Sequence, residues 1–326
     1  NMNADLSIYL KAHYPKTKSD LFAVFMEVCT NRNPKAGLMG MINQHSWMFL
    51  SSFEKLREYV LDNFTIINML HLGPRLFEEL SGEVVQSTAF VLKNDTNEDF
   101  KGDYYRLVDY KSSKGKEEQF EQRNHHFNHL SQSNFSDIPG GPIAYWVSES
   151  FCFSFLNNDL VDDYTFIDGK NVTGKNDNYV RNIWEISSKN IGKGKKYVPY
   201  AKGGEFRRWY GNISHVVDWS EKAINFYKKS HVGRVIKSIY WFKEGLTFSR
   251  MAKVVNSRKL DERGTFDGTT VSFFNKNNIK LNNNWLLGFF NSIVSDYYIK
   301  VLNPTLVFQY IDLKKIPVIT NDRINY

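Results

Sequence analysis

The apolar positions of the N-terminal half switch between helical and strand spacing. Ser19-Asp20 precede a run that predicts a helix from Leu21 to about Cys29, apolar on most sides. Gly37–Ile42 reads as a buried strand ending at Asn43. Ser51 and Glu54 have the spacing of a capping box and predict an amphipathic helix over Phe53–Val60. Phe64–His71 and Val84–Leu92 predict two further apolar strands. Alternation of helix and strand argues for an α/β sheet with crossover connections. Lys111–Gln132 is polar and predicts a helix with loose flanks, and Pro139-Gly140-Gly141-Pro142 is a strong breaker. The aromatic-rich Ile143–Leu156 is expected to leave the sheet domain. Regularity is lost near Tyr164, so two domains are expected, 1–165 and 166–326. The second has short strand-like runs between Gly, Asn and Lys turns, which suits an α+β domain. It also carries an Asn/Lys-rich hairpin loop over Asn275–Asn284 and a long apolar helix over Trp285–Leu302.

Composition adds little until charge is considered. The 326 residues suffice for two cores, and 42% hydrophobic with 24% charged residues is ordinary for a globular chain. No run approaches 18 apolar residues, and Asn1–Leu10 lacks the basic start and apolar stretch of a secretory signal. Cys29 and Cys152 sit in apolar runs and read as reduced core residues of a cytoplasmic protein without membrane contact. The charge, however, is uneven. Ile191–Arg263 holds 17 Lys+Arg against 6 Asp+Glu, a net of +11 in a chain totalling +7, so the remainder carries −4. A local excess of that size suggests a polyanionic partner, with a solvated basic face as the bland alternative.

Several motifs are decoys. Gly169 to Asn176 nearly matches a phosphate-binding G-x-x-x-x-G-K-[ST] loop, but Asn176 replaces the hydroxyl that would hold Mg²⁺. His125, His126 and His129 could share a helix face, yet they lack the glutamate of a zinc-protease helix and nearby cysteines. A solvated polar helix is the better reading, and no metal is expected. No G-x-S-x-G elbow is present.

Other blocks carry a resemblance. Lys18–Glu27 looks like the helix after the catalytic loop of amino-type DNA methyltransferases, and Gly37–Trp47 like the next strand with its polar exit. Asn68–Phe77 and Gly82–Leu92 resemble the last strands of that sheet, and Gln44–Glu54 is the most specific block. Together they resemble the phage-defence (BREX) adenine-specific DNA methyltransferases of the PglX type and, more distantly, single-chain restriction-modification enzymes. Asn171–Asn176 with Tyr179–Arg181 and Trp184-Glu185 resembles the family's junction between methylase and recognition domains. The resemblance implies a partial Rossmann-like methylase sheet lacking its N-terminal half, followed by a DNA target-recognition domain.

The family transfers a methyl group from S-adenosylmethionine to adenine N6 with an Asn/Asp-Pro-Pro-aromatic loop that polarises the flipped base. No two prolines are adjacent in this sequence, and the glycine-rich cofactor loop is absent too. The chain therefore reads as starting just after the catalytic loop. It is expected to hold no catalytic residue, bind no S-adenosylmethionine alone and be inactive alone. Its second half resembles recognition domains of type I specificity subunits, through Lys202–Asn212, Gly245–Ser249, Asn303-Pro304-Thr305 and Ile316-Pro317. Lys202, Arg207, Arg208, Trp209, Tyr210, Ser249, Arg250, Lys253 and Arg263 are the expected contacts to double-stranded DNA. Arginine can grip guanine with two bonds, while Lys and Ser hold phosphates. Further expected partners are the missing methylase half and other defence-system proteins. The alternative is a non-catalytic DNA-binding or docking subunit that completes a methylase in trans.

Overall fold

The computed structural model describes residues 2–77, 85–166, 169–276, 281–304, 307 and 309–319. The chain forms two compact units, Asn1–Asn158 with Ile319–Tyr326, and Asp159–Val318. The expected seam at 165/166 falls inside strand Thr165–Phe166, whose ladder partner Phe274-Asn275 belongs to the second unit.

The first unit is built on a mixed sheet of β1 (Leu38–Gln44), β2 (Thr65–Gly73), β3 (Ser87–Lys93), β4 (Asp103–Arg106) and β5 (His126–Phe127), in the order β1-β3-β2-β4-β5. Only β2 and β4 are paired in parallel. β3 runs antiparallel between β1 and β2, so β1, β2 and β4 point the same way.

β1 is not the buried strand its apolar sequence suggests. It lies at the sheet edge, where Met39 is buried but Leu38 and Ile42 stand 64% and 61% exposed. Residue 84, at the start of the strand expected over 84–92, lies outside the described residues. The expected capping box does not form. Ser51–Phe53 winds as a 3₁₀ turn, and the helix Glu54–Asn63 begins at Phe53 without a side-chain cap. That helix is anchored instead by Arg57, only 1% exposed, whose Nε donates to the Gly140 carbonyl (2.8 Å) and Nη1 to those of Trp47 (2.9 Å) and Leu50 (2.8 Å).

The polar stretch after β4 forms a helix only over Ser113–Glu121. The three histidines share no helix face. His125 has a positive φ and meets Tyr110, His126 is in β5 against Asp103, and His129 meets the Val147 carbonyl. No group of three potential metal ligands occurs among the described residues. Ile143–Leu156 stays in the first unit, with Ile143, Ala144, Tyr145 and Val147 at most 1% exposed, because its aromatics pack on the sheet. Tyr145 also ends a buried chain. His45 Nδ1 lies 2.9 Å from His71 Nε2, and His71 Nδ1 lies 3.2 Å from the Tyr145 hydroxyl.

The second unit contains two four-stranded sheets. One has the order β11-β10-β13-β6 and the other β12-β8-β9-β7. Their strands are β6 (Thr165–Phe166), β7 (Val180–Asn182), β8 (Tyr197–Ala201), β9 (His215–Asp218), β10 (Gly245–Ser249), β11 (Arg258–Leu260), β12 (Thr265–Phe266) and β13 (Thr270–Asn275). The amphipathic helix Glu221–Lys229, capped by Ser220, packs Ala223, Ile224 and Tyr227 onto Val198, Tyr200 and Val217 of β8 and β9. Phe248, fully buried in β10, meets Phe290 and Phe273 edge-on at 4.9 and 5.3 Å.

The single helix expected over Trp285–Leu302 is two, Asn283–Phe290 and Ile293–Leu302. Ser292 caps the second through a bond from the Ser295 N–H. An apolar period passes through such a break unchanged, but a serine hydroxyl competes for the first free N–H of a new helix. Residues 277–280 of the expected Asn275–Asn284 hairpin and residue 305 lie outside the described residues. No described helix is long and apolar enough to cross a membrane.

Candidate nucleic-acid interface

One loop of the second unit joins three of its basic residues, Lys202, Arg207 and Arg208, to three aromatics. β8 ends at Ala201, β9 starts at His215, and Lys202–Ser214 between them is pinned at three places. At its base the Lys202 N–H donates to the Asn212 carbonyl (3.1 Å). At its entry Gly203 donates to Thr269 Oγ1 (3.0 Å), and a Cβ there would come within 2.8 Å of the Thr269 carbonyl, so only glycine fits. At its tip Trp209 bridges to β11. Its N–H donates to the Ser257 carbonyl (2.8 Å), and its carbonyl accepts from the Lys259 N–H (2.9 Å).

This anchoring turns the side chains outward. Phe206, Trp209 and Tyr210 are 56%, 54% and 53% exposed, and Trp209 holds φ +74°, a backbone region uncommon for a bulky residue. Three exposed aromatics on one loop are not domain core. Arg207 projects with only a long ion pair to Glu205 (3.9 Å). Arg208 is half-buried, with its guanidinium 5.4 Å from the Phe206 ring.

Below the loop opens a cleft of about 500 Å³ lined by Lys202, Gly203, Glu205, Arg207, Asn212 and His215 among others. A second cleft of about 710 Å³ shares Lys202 and His215 and adds Asn176, Arg181 and Glu185. Burial, and then the Lys202 charge, hold the His215 pKa below its usual value, so it stands there as a neutral donor or acceptor.

The other expected contacts divide. The Arg250 side chain is exposed, and its N–H donates to the same Thr269 that receives Gly203, which places its backbone beside the loop's entry. Arg263 is exposed, but it grips Asp261 with two nitrogens (Nε 2.9 Å, Nη2 2.6 Å). Lys253 is exposed, and nothing ties it to the loop. Ser249 is a correction. It is 1% exposed inside β10, a strand buried along its whole length, and its hydroxyl accepts from Arg258 Nη1 (3.1 Å). Asn212, which the resemblance block includes, and His215 also line the cleft, though neither was among the expected DNA contacts. Their only sequence signal is that they follow the Arg-Arg-Trp-Tyr block.

With this geometry in place, comparison with known proteins becomes informative. The sequence profile of the Eco57I restriction-modification methylase family matches residues 1–77. The adenine-specific methyltransferase BrxX of Escherichia coli O9:H4 (strain HS) is 37% identical over 328 residues, covering 99% of this chain and 27% of that protein. The chain is a homologue of the BrxX/PglX adenine-specific methyltransferases. PglX of Lacticaseibacillus casei (strain Zhang) is 36% identical over 340 residues, again covering 97% of this chain and 28% of the relative. The chain thus spans about a quarter of the length of those curated relatives. Among solved structures, it resembles the type IIL restriction-modification enzyme MmeI in complex with DNA, with a TM-score of 0.58 at 11% identity. That match covers 99% of this chain and 45% of MmeI. It also resembles the DrdV–DNA complex, with a TM-score of 0.50 at 13% identity, covering 97% and 40%. At such identities the likeness concerns the fold.

Proposed function

We propose that this chain is the part of a site-specific N6-adenine DNA methyltransferase of a phage-defence system that supplies DNA target recognition. In this reading residues 159–318 are the recognition domain, and residues 1–158 are the C-terminal portion of the methylase domain. The observation that carries it is the loop Lys202–Ser214. It turns Arg207, Trp209 and Tyr210 to solvent above a cleft edged by Lys202, within a stretch of net +11. MmeI and DrdV, whose folds are similar, were both solved with DNA. Arginine and lysine on such a loop hold phosphates or read guanine, and the exposed rings can pack on sugars or bases.

S-adenosylmethionine is the methyl donor the family implies, and the residues present do not fit it. The sequence has no adjacent prolines and no glycine-rich cofactor loop, so no step of methyl transfer is assigned to this chain. β1 is the end strand of its sheet among the described residues, which fits a sheet that is continued by strands from elsewhere. The same edge favours the second reading, a subunit that completes a methylase supplied in trans.

Filter binding to specific and random duplexes across a salt series tests the proposal. If about six phosphates are engaged, counterion release gives a log–log slope near −5. Arg207→Ala, at a guanine contact, should cost about 1–3 kcal/mol on the cognate site and little on random DNA. Salt-insensitive binding, or none at low salt, overturns the reading.

A further inference from the structure

Among the described residues three cationic side chains are buried, and two are explained by the fold. Arg57 gives three hydrogen bonds of 2.8–2.9 Å to carbonyls. Lys116, 2% exposed, gives its ammonium to the carbonyls of Leu107 (2.8 Å) and Tyr110 (2.6 Å). Arg258 is different. It is fully buried in β11, and no carboxylate among the described residues pairs with it. Nη1 alone is engaged, at 3.1–3.5 Å, with Ser249 Oγ, Asn256 and the Arg207 carbonyl. Nε and Nη2 find no protein acceptor. Its neighbours repeat the pattern, since Asn256 Nδ2 and the Ser257 hydroxyl are also buried without a partner. Burial lowers the Arg258 pKa to about 10, which still leaves it charged at neutral pH.

A buried charge without a partner is a cost to the folded state, and such costs gather at functional sites. The tip of the basic loop lies against Arg258, through the Arg207 carbonyl (3.4 Å) and the Trp209 bridge to Ser257 and Lys259. That tip has glycines on either side, Gly204 and Gly211, both at positive φ, and it carries the Trp209 backbone strain.

We infer that Arg258 is a latent phosphate contact, which an oxygen of the DNA backbone engages once the Glu205–Asn212 tip lifts from β11. This rests on the DNA-recognition reading above and adds a residue to it. The tip acts as a cover that keeps the guanidinium from small anions and yields to a polyanion. Nε and Nη2, the two nitrogens without acceptors, form one edge of the guanidinium and match the spacing of two phosphate oxygens.

The test compares Arg258→Met and Arg258→Lys with wild type, by melting temperature and by DNA affinity over a salt series. A latent contact predicts that Arg258→Met melts at or above wild type, because an uncompensated charge has gone. It should bind at least about tenfold more weakly at low salt, with a log–log slope flatter by about one unit. Arg258→Lys should restore the slope, since lysine also serves a phosphate as a point charge. An Arg258→Met protein that melts well below wild type assigns Arg258 to the scaffold and overturns the inference. So does an unchanged slope, and so does a loss confined to one DNA sequence, which would mean a base contact. If wild type itself fails to bind DNA, the recognition reading falls first, and the two failures are told apart.

Discussion

His45 and His71 show what burial does to a single ionisable group. Desolvation takes His45 down to about 4 and His71 well below its usual value, the latter also pressed by the charges of His45, Arg106 and Lys116. Both rings are therefore neutral in the folded protein at pH 7, as one donor and one acceptor across 2.9 Å. Unfolded, each would take a proton near pH 6.5. Between pH 6.5 and 4 the unfolded state gains protons that the folded state refuses, so stability is whole above 6.5 and falls as pH drops through that window. For His45 the loss is no more than about 3 kcal/mol. Urea midpoints measured from pH 7 to 4.5 should fall, and should fall less steeply in His71→Gln; parallel profiles would refute the assignment. None of this was legible in the sequence, where His45 is one polar letter in the Gln44–Glu54 block and His71 the end of an apolar run. Arg258 escaped for the same reason. A charge count gives every arginine the same weight, and only the fold says which one is enclosed.

At the scale of elements, the loop Lys202–Ser214 can be separated from the sheet that carries it. Trp209 is more than half exposed and its backbone holds the bridge to β11, so its side chain contributes little to folding. Trp209→Ala should keep the melting transition within about 0.5 kcal/mol of wild type while weakening DNA binding on every sequence. Phe248→Ala, by contrast, empties a fully buried site between Phe273 and Phe290 and should cost about 3–5 kcal/mol. Thermal denaturation of the two variants side by side checks this; a Trp209→Ala protein as unstable as Phe248→Ala would make the loop core.

Strand and helix positions were largely legible, because period and capping residues act locally. Leu21–Arg32, β2 and β3 lie close to where the pattern puts them. What the pattern could not give is the neighbour. Leu38 and Ile42 read as buried because they are apolar, yet β1 pairs on one side only, and the pleat leaves its other face open. Likewise Ser249 and Arg250 are adjacent letters, but the first is the last residue of the buried β10 and the second lies past its end, exposed.

At the scale of the whole molecule, the proposed function separates two chemistries along the polypeptide and gives these residues the positioning half of the pair. Its first unit has the open-edged sheet, and its second has the basic loop. Methyl transfer to adenine needs a pocket for the donor and a loop that grips the amino group, and binding DNA replaces neither. The sequence supplies no Asn-Pro-Pro-aromatic loop, and the described clefts around Lys202 are lined by cationic and polar residues with no element that would cradle a cofactor. The isolated chain should therefore give no heat with S-adenosylmethionine in calorimetry and no tritiated-methyl incorporation into DNA, while still retarding duplex DNA at low salt. Dissecting function this way also sets the reverse expectation. If a polypeptide bearing the two missing loops is added, DNA methylation should appear only in the mixture, with the open edge of β1 as the place where its sheet can continue. A micromolar dissociation constant for the cofactor, or turnover by this chain alone, would mean that a donor pocket exists among residues to which none has been assigned.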